Sequence, residues 1–133
     1  MLSSLTEVVI QAAFEVSNAL VAGFMEKVYE RALARELSIR GVRVTVQTPL
    51  PVFYKGGRVG EYYADLLVEG KLVVELKCVE RLGDEHLAQC LNYLRASGCA
   101  VCLLINFQRP TVEWRRVVLS LNAADFGAAE ECA

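Results

Sequence analysis

The stretch Tyr62–Glu80, YYADLLVEGKLVVELKCVE, reads as two β-strands around a turn at Glu69-Gly70-Lys71, yet Asp65, Glu75 and Lys77 interrupt its apolar residues. A buried charge costs on the order of several kcal/mol unless it is paired, hydrated or bound to a metal. The segment therefore carries either a structural ion pair or a site. Loop length decides where the charges point. A two-residue loop at Glu69-Gly70 pairs Asp65 with Val74; a three-residue loop, with Gly70 at or beside a bulge, pairs Asp65 with Glu75. The second register puts Tyr62, Ala64, Leu66 and Val68 on one face with Leu72, Val74 and Leu76. Tyr63, Asp65, Leu67, Val73, Glu75 and Lys77 share the other. A slip of one residue exchanges the faces, so burial favours this register.

In that register two carboxylates face each other across adjacent strands, their β-carbons about 5 Å apart, and Lys77 follows along the same face. Such a pair repels unless a proton or cation lies between. Hard oxygen ligands with open water positions suit Mg²⁺ or Mn²⁺. An Asp/Glu/Lys face taken alone also fits a structural network.

At 133 residues, 54% hydrophobic and 23% charged, the chain has the length and composition of one folded domain. The formal net charge of -2 argues against nucleic-acid binding by bulk electrostatics, while leaving room for a local basic strip. Five cysteines, an odd number in apolar contexts, fit buried thiols in a reducing compartment. Cys99-x-x-Cys102 lacks a second Cys or His pair and reads as core packing. Glu7, Gln11 and Glu15 break the apolar run that a signal peptide needs, and no segment is long and apolar enough for a membrane span. The expectation is a soluble, cytoplasmic protein with no membrane association.

Helical periodicity runs from about Thr6 to Arg40, with Gly23 marking a kink between two segments and Gly41 a C-cap. VRVTVQ alternates as a strand that Pro49 and Pro51 should stop. VFYKGGRVGEYYADLLV predicts a hairpin turning at Lys55-Gly56-Gly57-Arg58. KLVVELKCV is a strand, and Asp84 N-caps a helix to Ser97 with Gly98 past its end. AVCLLINF and VEWRRVVLSL are the last strands. The order α-β-β-β-α-β-β predicts an α/β fold with a mixed sheet flanked by helices, in one domain over 1–121 with a frayed tail over 122–133.

Asp65, a hairpin, then Glu75-Leu76-Lys77 resembles the signature of the PD-(D/E)xK nuclease superfamily, without the proline before the aspartate. Gln89-Cys-Leu-Asn-Tyr93 resembles the QxxxY motif of its RecB-like branch. Gly23-x-x-Glu26-x-x-Tyr29 looks like the motif that names the GxxExxY protein family. The similarity extends through QTPLPVFYKG, HLAQCLNYLRASG and LLINF, over about residues 15 to 120. Departures are Leu20-Val21-Ala22-Gly23, where the family commonly shows Leu-Gly-Pro-Gly, and Ser17, where a histidine is common. Val21 there argues against a sharp turn.

The resemblance implies a restriction-endonuclease-like core and a Mg²⁺- or Mn²⁺-dependent nuclease acting on DNA or RNA. Asp65, Glu75 and the carbonyl of Leu76 would hold the metal, and Lys77 would orient the attacking water. Glu26, favoured over Glu30, would come in from the first helical region. Gln89 would hydrogen-bond Lys77 or a phosphate oxygen, with Tyr93 and Tyr29 at the substrate. His86, Asn106, Arg115 and Arg116 are further polar groups in reach of such a face. The competing function is a non-catalytic binding or assembly module that keeps the fold and an ion-pair network. A homodimer or a partner protein is expected, because one small domain offers little surface to grip a duplex.

Overall fold

The computed structural model describes residues 2–119 and 129–132. Helices α1 (Leu2–Leu20) and α2 (Glu26–Ile39) precede strands β1 (Val44–Tyr54), β2 (Gly57–Val68) and β3 (Leu72–Lys77). Helix α3 (Asp84–Ser97) leads to β4 (Val101–Asn106), β5 (Glu113–Val118) and β6 (Ala129–Cys132). The sheet runs β1-β2-β3-β4-β5-β6. Its strands pair antiparallel except β3 and β4, which are parallel and joined through α3. This is the mixed α/β sheet expected. Beyond Leu119 the tail enters the description only as β6, and the rest of the segment expected to fray lies outside the described residues.

Each face of the sheet has its own core. Val9, Ala13, Val16, Leu33 and Leu37 of α1 and α2 pack on Leu66, Leu72, Val74, Leu76, Leu103 and Ile105. Cys90, Leu91 and Leu94 of α3 pack on Val73, Cys102, Leu104 and Val117. β3 and β4 are covered on both sides, which explains their near-continuous apolar sequences. Cys102 of the CxxC pair is a buried core residue, and Cys78, Cys90, Cys99 and Cys102 are free thiols.

The central hairpin takes the longer loop. Val68 pairs with Leu72, Leu67 with Val73 and Leu66 with Val74, so the register brings Glu75 opposite Asp65. Glu69 (φ 53°) and Gly70 (φ 65°) turn the chain, and the Lys71 N–H closes it on the Val68 carbonyl at 3.0 Å.

Three expectations about local structure are corrected. Pro49 and Pro51 do not stop β1, which continues to Tyr54. β1 lies at the sheet edge, where a residue without an N–H leaves no ladder bond unmade. Val21 does not prevent the turn between α1 and α2: it adopts φ 63°, and its N–H reaches the Ser17 carbonyl at 2.9 Å. Asp84 is the first helical residue rather than the cap. Gly83 holds the cap position, and its N–H donates to Nδ1 of His86 at 2.9 Å.

Glycine at 70 is required by the backbone rather than by space, because a β-carbon there would meet nothing within 4 Å. Gly70→Ala should therefore lower stability by about 1–2 kcal/mol. Gly60→Ala, also in open space but without a positive φ, should stay within about 0.5 kcal/mol of wild type. Urea unfolding midpoints of the two variants check the contrast.

Candidate functional site

The site forms where β2 and β3 part. The Leu66–Val74 pair is the last one in their ladder. The next donor, the Leu76 N–H, is taken by the Asp65 carboxylate (Oδ2, 2.8 Å) instead of a β2 carbonyl. The Asp65 N–H in turn points at Oε1 of Glu75 at 3.5 Å. A side chain thus replaces a backbone rung, and the strands open into a wedge holding both carboxylates.

The opening changes the alternation of β2. Leu66 packs in the core under α1 and α2, but Ala64 packs in the one under α3. Tyr62 likewise meets Tyr93 of α3, ring centroids 5.5 Å apart and edge to face. The expectation that Tyr62 and Ala64 share a face with Leu66 is thereby corrected, because strict alternation ends at the splay. On the neighbouring strand Gln47 stands opposite the same point with φ 49°, a conformation that side chains other than glycine rarely adopt. Its amide nitrogen donates to Glu30 at 2.6 Å and to Asp65 at 3.2 Å.

Glu75 is held loosely. Its Oε2 lies 3.8 Å from the Lys77 ammonium and 3.4 Å from the Tyr93 hydroxyl. Burial, and then the Asp65 charge, push its carboxyl up to about 9, with Lys77 pulling the other way. Asp65 is also raised, by burial first and by Glu30, against the opposing Leu76 and Gln47 hydrogen bonds. Glu26 stands exposed at the rim, and its carboxyl is raised by partial desolvation and then by Asp65. Burial and the nearby Glu75 raise the Tyr93 hydroxyl as well.

Asp65, Glu75 and Lys77 therefore come together, with Glu26 close enough to feel Asp65 and Lys77. Glu30 is the more deeply placed acid, 3% exposed, and it reaches Asp65 through Gln47 while pairing with Lys27 at 3.5 Å. Sequence reasoning missed Gln47. Its only signal was its place at the head of QTPLPVFYKG, since one polar residue in an edge strand is unremarkable by pattern. Gln89 does not reach Lys77 directly; its amide donates to the Tyr93 hydroxyl at 3.0 Å, making a relay from α3 to Glu75.

Tyr93 was expected at the substrate. Instead it is buried against the sheet, 5% exposed, because its ring covers the gap beside the splay. Tyr29 does not face the site either. It stacks on Phe107 (centroids 4.9 Å apart), and its hydroxyl bonds the Val21 carbonyl and accepts the Phe24 N–H. It pins the α1–α2 turn from inside the core. His86 caps α3. Asn106, fully buried, ties Val79 and Glu113 and has no phosphate-facing role. Arg115 and Arg116 lie on β5, two strands away from Glu75.

Residues 3–117 match the profile of the PD-(D/E)XK nuclease superfamily. The chain belongs to that superfamily. Neither the curated proteins nor the solved structures include a match. Nucleases of this superfamily generally use divalent metals. Among the described residues no group of three or more His, Cys, Asp or Glu side chains stands ready to hold a metal ion. The superfamily's donor set nonetheless suits this wedge: two carboxylates converge, and the Leu76 carbonyl lies on the same side of β3 as its N–H, facing Asp65. The raised carboxyls mark a deficit of positive charge that a hard divalent cation would fill. No described helix is long and apolar enough to cross a membrane.

A pH dependence follows for the metal-free protein. The folded state keeps the Glu75 proton up to about 9, whereas the unfolded chain releases it near 4.5. Between those values the folded state binds more protons, so stability falls as pH rises through the window. Glu75→Gln should flatten that slope. Urea unfolding in EDTA at a series of pH values measures both.

Proposed function

We propose that the chain is a Mg²⁺- or Mn²⁺-dependent nuclease of the GxxExxY family, within the RecB-like branch, hydrolysing phosphodiester bonds of DNA or RNA in the cytoplasm. The observation that carries this reading is the convergence of Asp65 and Glu75 at the strand splay, with Lys77 3.8 Å from Glu75. Asp65, Glu75 and the Leu76 carbonyl would hold the metal. When bound, the metal supplies Lewis acidity and a water of lowered pKa.

The chain's own groups do the positioning. Lys77 orients the water that attacks phosphorus and offsets charge gathering on the phosphate oxygens. Gln47 fixes Asp65 and holds Glu30 beside it through a single amide nitrogen. Gln89 and Tyr93 set the orientation of Glu75 from the other face. Glu26, at the rim, is the acid that α2 contributes to the solvent side. A homodimer or a partner protein supplies the remaining grip on the nucleic acid.

A second reading, a non-catalytic binding or assembly module, is favoured by one observation. Among the described residues every buried side-chain nitrogen and oxygen has a hydrogen-bond partner, so the network satisfies itself. The two readings separate on stability. For a metal site, Asp65→Asn should leave the metal-free melting temperature unchanged or raised, because it relieves repulsion on Glu75. For a structural ion pair the same change should cost about 3–5 kcal/mol. Mg²⁺ or Mn²⁺ at about 100 times its Kd should stabilise wild type by about 2.7 kcal/mol, and Asp65→Asn much less. Melting curves with and without metal give both numbers.

Cleavage is the direct test. Asp65→Asn and Lys77→Ala should each lower the metal-dependent rate at least about 10²–10³-fold. Metal binding near neutral pH should also release a proton from Glu75, since ligating carboxylates are ionised. Titration calorimetry in buffers of different ionisation enthalpy detects that proton.

A further inference from the structure

Beyond the last β2–β3 pair, strands β1 and β2 run on together as a hairpin that ends at the Tyr54–Gly57 pair. This projection carries the main exposed aromatic surface among the described residues. Phe53 and Tyr54 are each 62% exposed, Tyr63 is 51% and Tyr62 is 39%. Between the hairpin and α3 lies a cleft of about 500 Å³ whose walls include Val52, Phe53 and Tyr62 on one side and Asn92 and Arg95 on the other. The exposed Arg95 donates to the Asn92 side chain at 2.9 Å and sets a positive charge on the cleft wall. Lys55, over the Tyr54 ring, and Arg58, paired with Glu61, add cations at the tip.

The cleft neighbours the site through two tyrosines. Tyr62 touches Tyr93, and the Tyr93 hydroxyl meets Glu75. Tyr62 precedes Asp65 by three residues, about 10 Å along an extended strand and a few nucleotides of a nucleic-acid strand.

We propose that the cleft between the hairpin and α3 is a stacking platform for unpaired bases, and that the substrate of the carboxylate site is single-stranded nucleic acid. This rests on the nuclease reading and names its substrate class. Two physical arguments select this occupant. Duplex binding is dominated by phosphate neutralisation, and a chain of net charge -2 has no surplus of cations to supply it. Base–aromatic stacking needs no such surplus, since every base offers a π-face and a few cations suffice to track the backbone. Phe53 and the partly exposed Tyr62, in one cleft with the Arg95 guanidinium, match that chemistry. A duplex cannot present its bases to them without unstacking.

The test measures binding apart from cleavage. Fluorescein-labelled oligo-dT and oligo-rU of about 15 nucleotides, and a duplex of the same length, are titrated with the metal-free full chain by fluorescence anisotropy. The expected result is tighter binding of the single strands than of the duplex. Phe53→Ala should weaken single-strand binding about 5- to 150-fold and Phe53→Trp should preserve it. Equal or tighter duplex binding overturns the proposal, as does single-strand binding indifferent to Phe53→Ala. Sedimentation showing that Phe53→Ala abolishes self-association while oligonucleotide binding is unchanged also overturns it, assigning the patch to a second copy of the chain. If no metal supports cleavage but the anisotropy results hold, the nuclease reading fails and the platform stands.

Discussion

One hydrogen bond organises the centre of this protein: the Leu76 N–H donating to the Asp65 carboxylate at 2.8 Å. It keeps a buried donor satisfied at the point where the backbone ladder would otherwise have supplied the acceptor. By doing so it lets β2 leave β3 without an orphaned amide, and everything at the site follows from that departure. Glu75 gains room beside Asp65, Ala64 and Tyr62 move to the α3 side, and the hairpin is free to project. Gln47 secures the arrangement from the other strand, in a left-handed conformation that costs of order 1–3 kcal/mol.

The electrostatics run against the fold. Burial raises Asp65 and Glu75; the Asp65 charge raises Glu75 further, and Glu30 raises Asp65 further. The Leu76 and Gln47 hydrogen bonds offset this at Asp65, whereas at Glu75 the nearest groups are the Tyr93 hydroxyl at 3.4 Å and the Lys77 ammonium at 3.8 Å. Tight pairing would have shortened those contacts and quieted the carboxyls. The loose contacts around Glu75 leave its burial largely uncompensated, a strain that the two apolar cores absorb.

Much of this was legible in the sequence, for local reasons. Gly70 and the alternation of Leu66, Val68, Leu72 and Val74 set the register, because one slip would have exposed a whole apolar face. The continuous apolar runs of β3 and β4 announced strands covered on both sides. What stayed hidden depends on tertiary position. Pro49 and Pro51 read as stops because nothing local says that β1 is an edge. Tyr29 and Tyr93 read as site-facing because polar tips conceal rings that fill cores. Gln47 was invisible because its importance lies in a backbone angle and in two carboxylates, one 17 and the other 18 positions away.

The prolines in β1 have a consequence for how the protein keeps to itself. An open sheet offers its outer rim as a template for a strand from another molecule, and β1 is such a rim with exposed Val46 and Phe53 on it. Pro49 and Pro51, two apart and both within the ladder with β2, turn their nitrogens to the same outer side. Two successive donors are thereby missing from the rim, so an incoming strand cannot zip along it. The same pair that a sequence reading takes for punctuation acts as a guard against edge-to-edge aggregation.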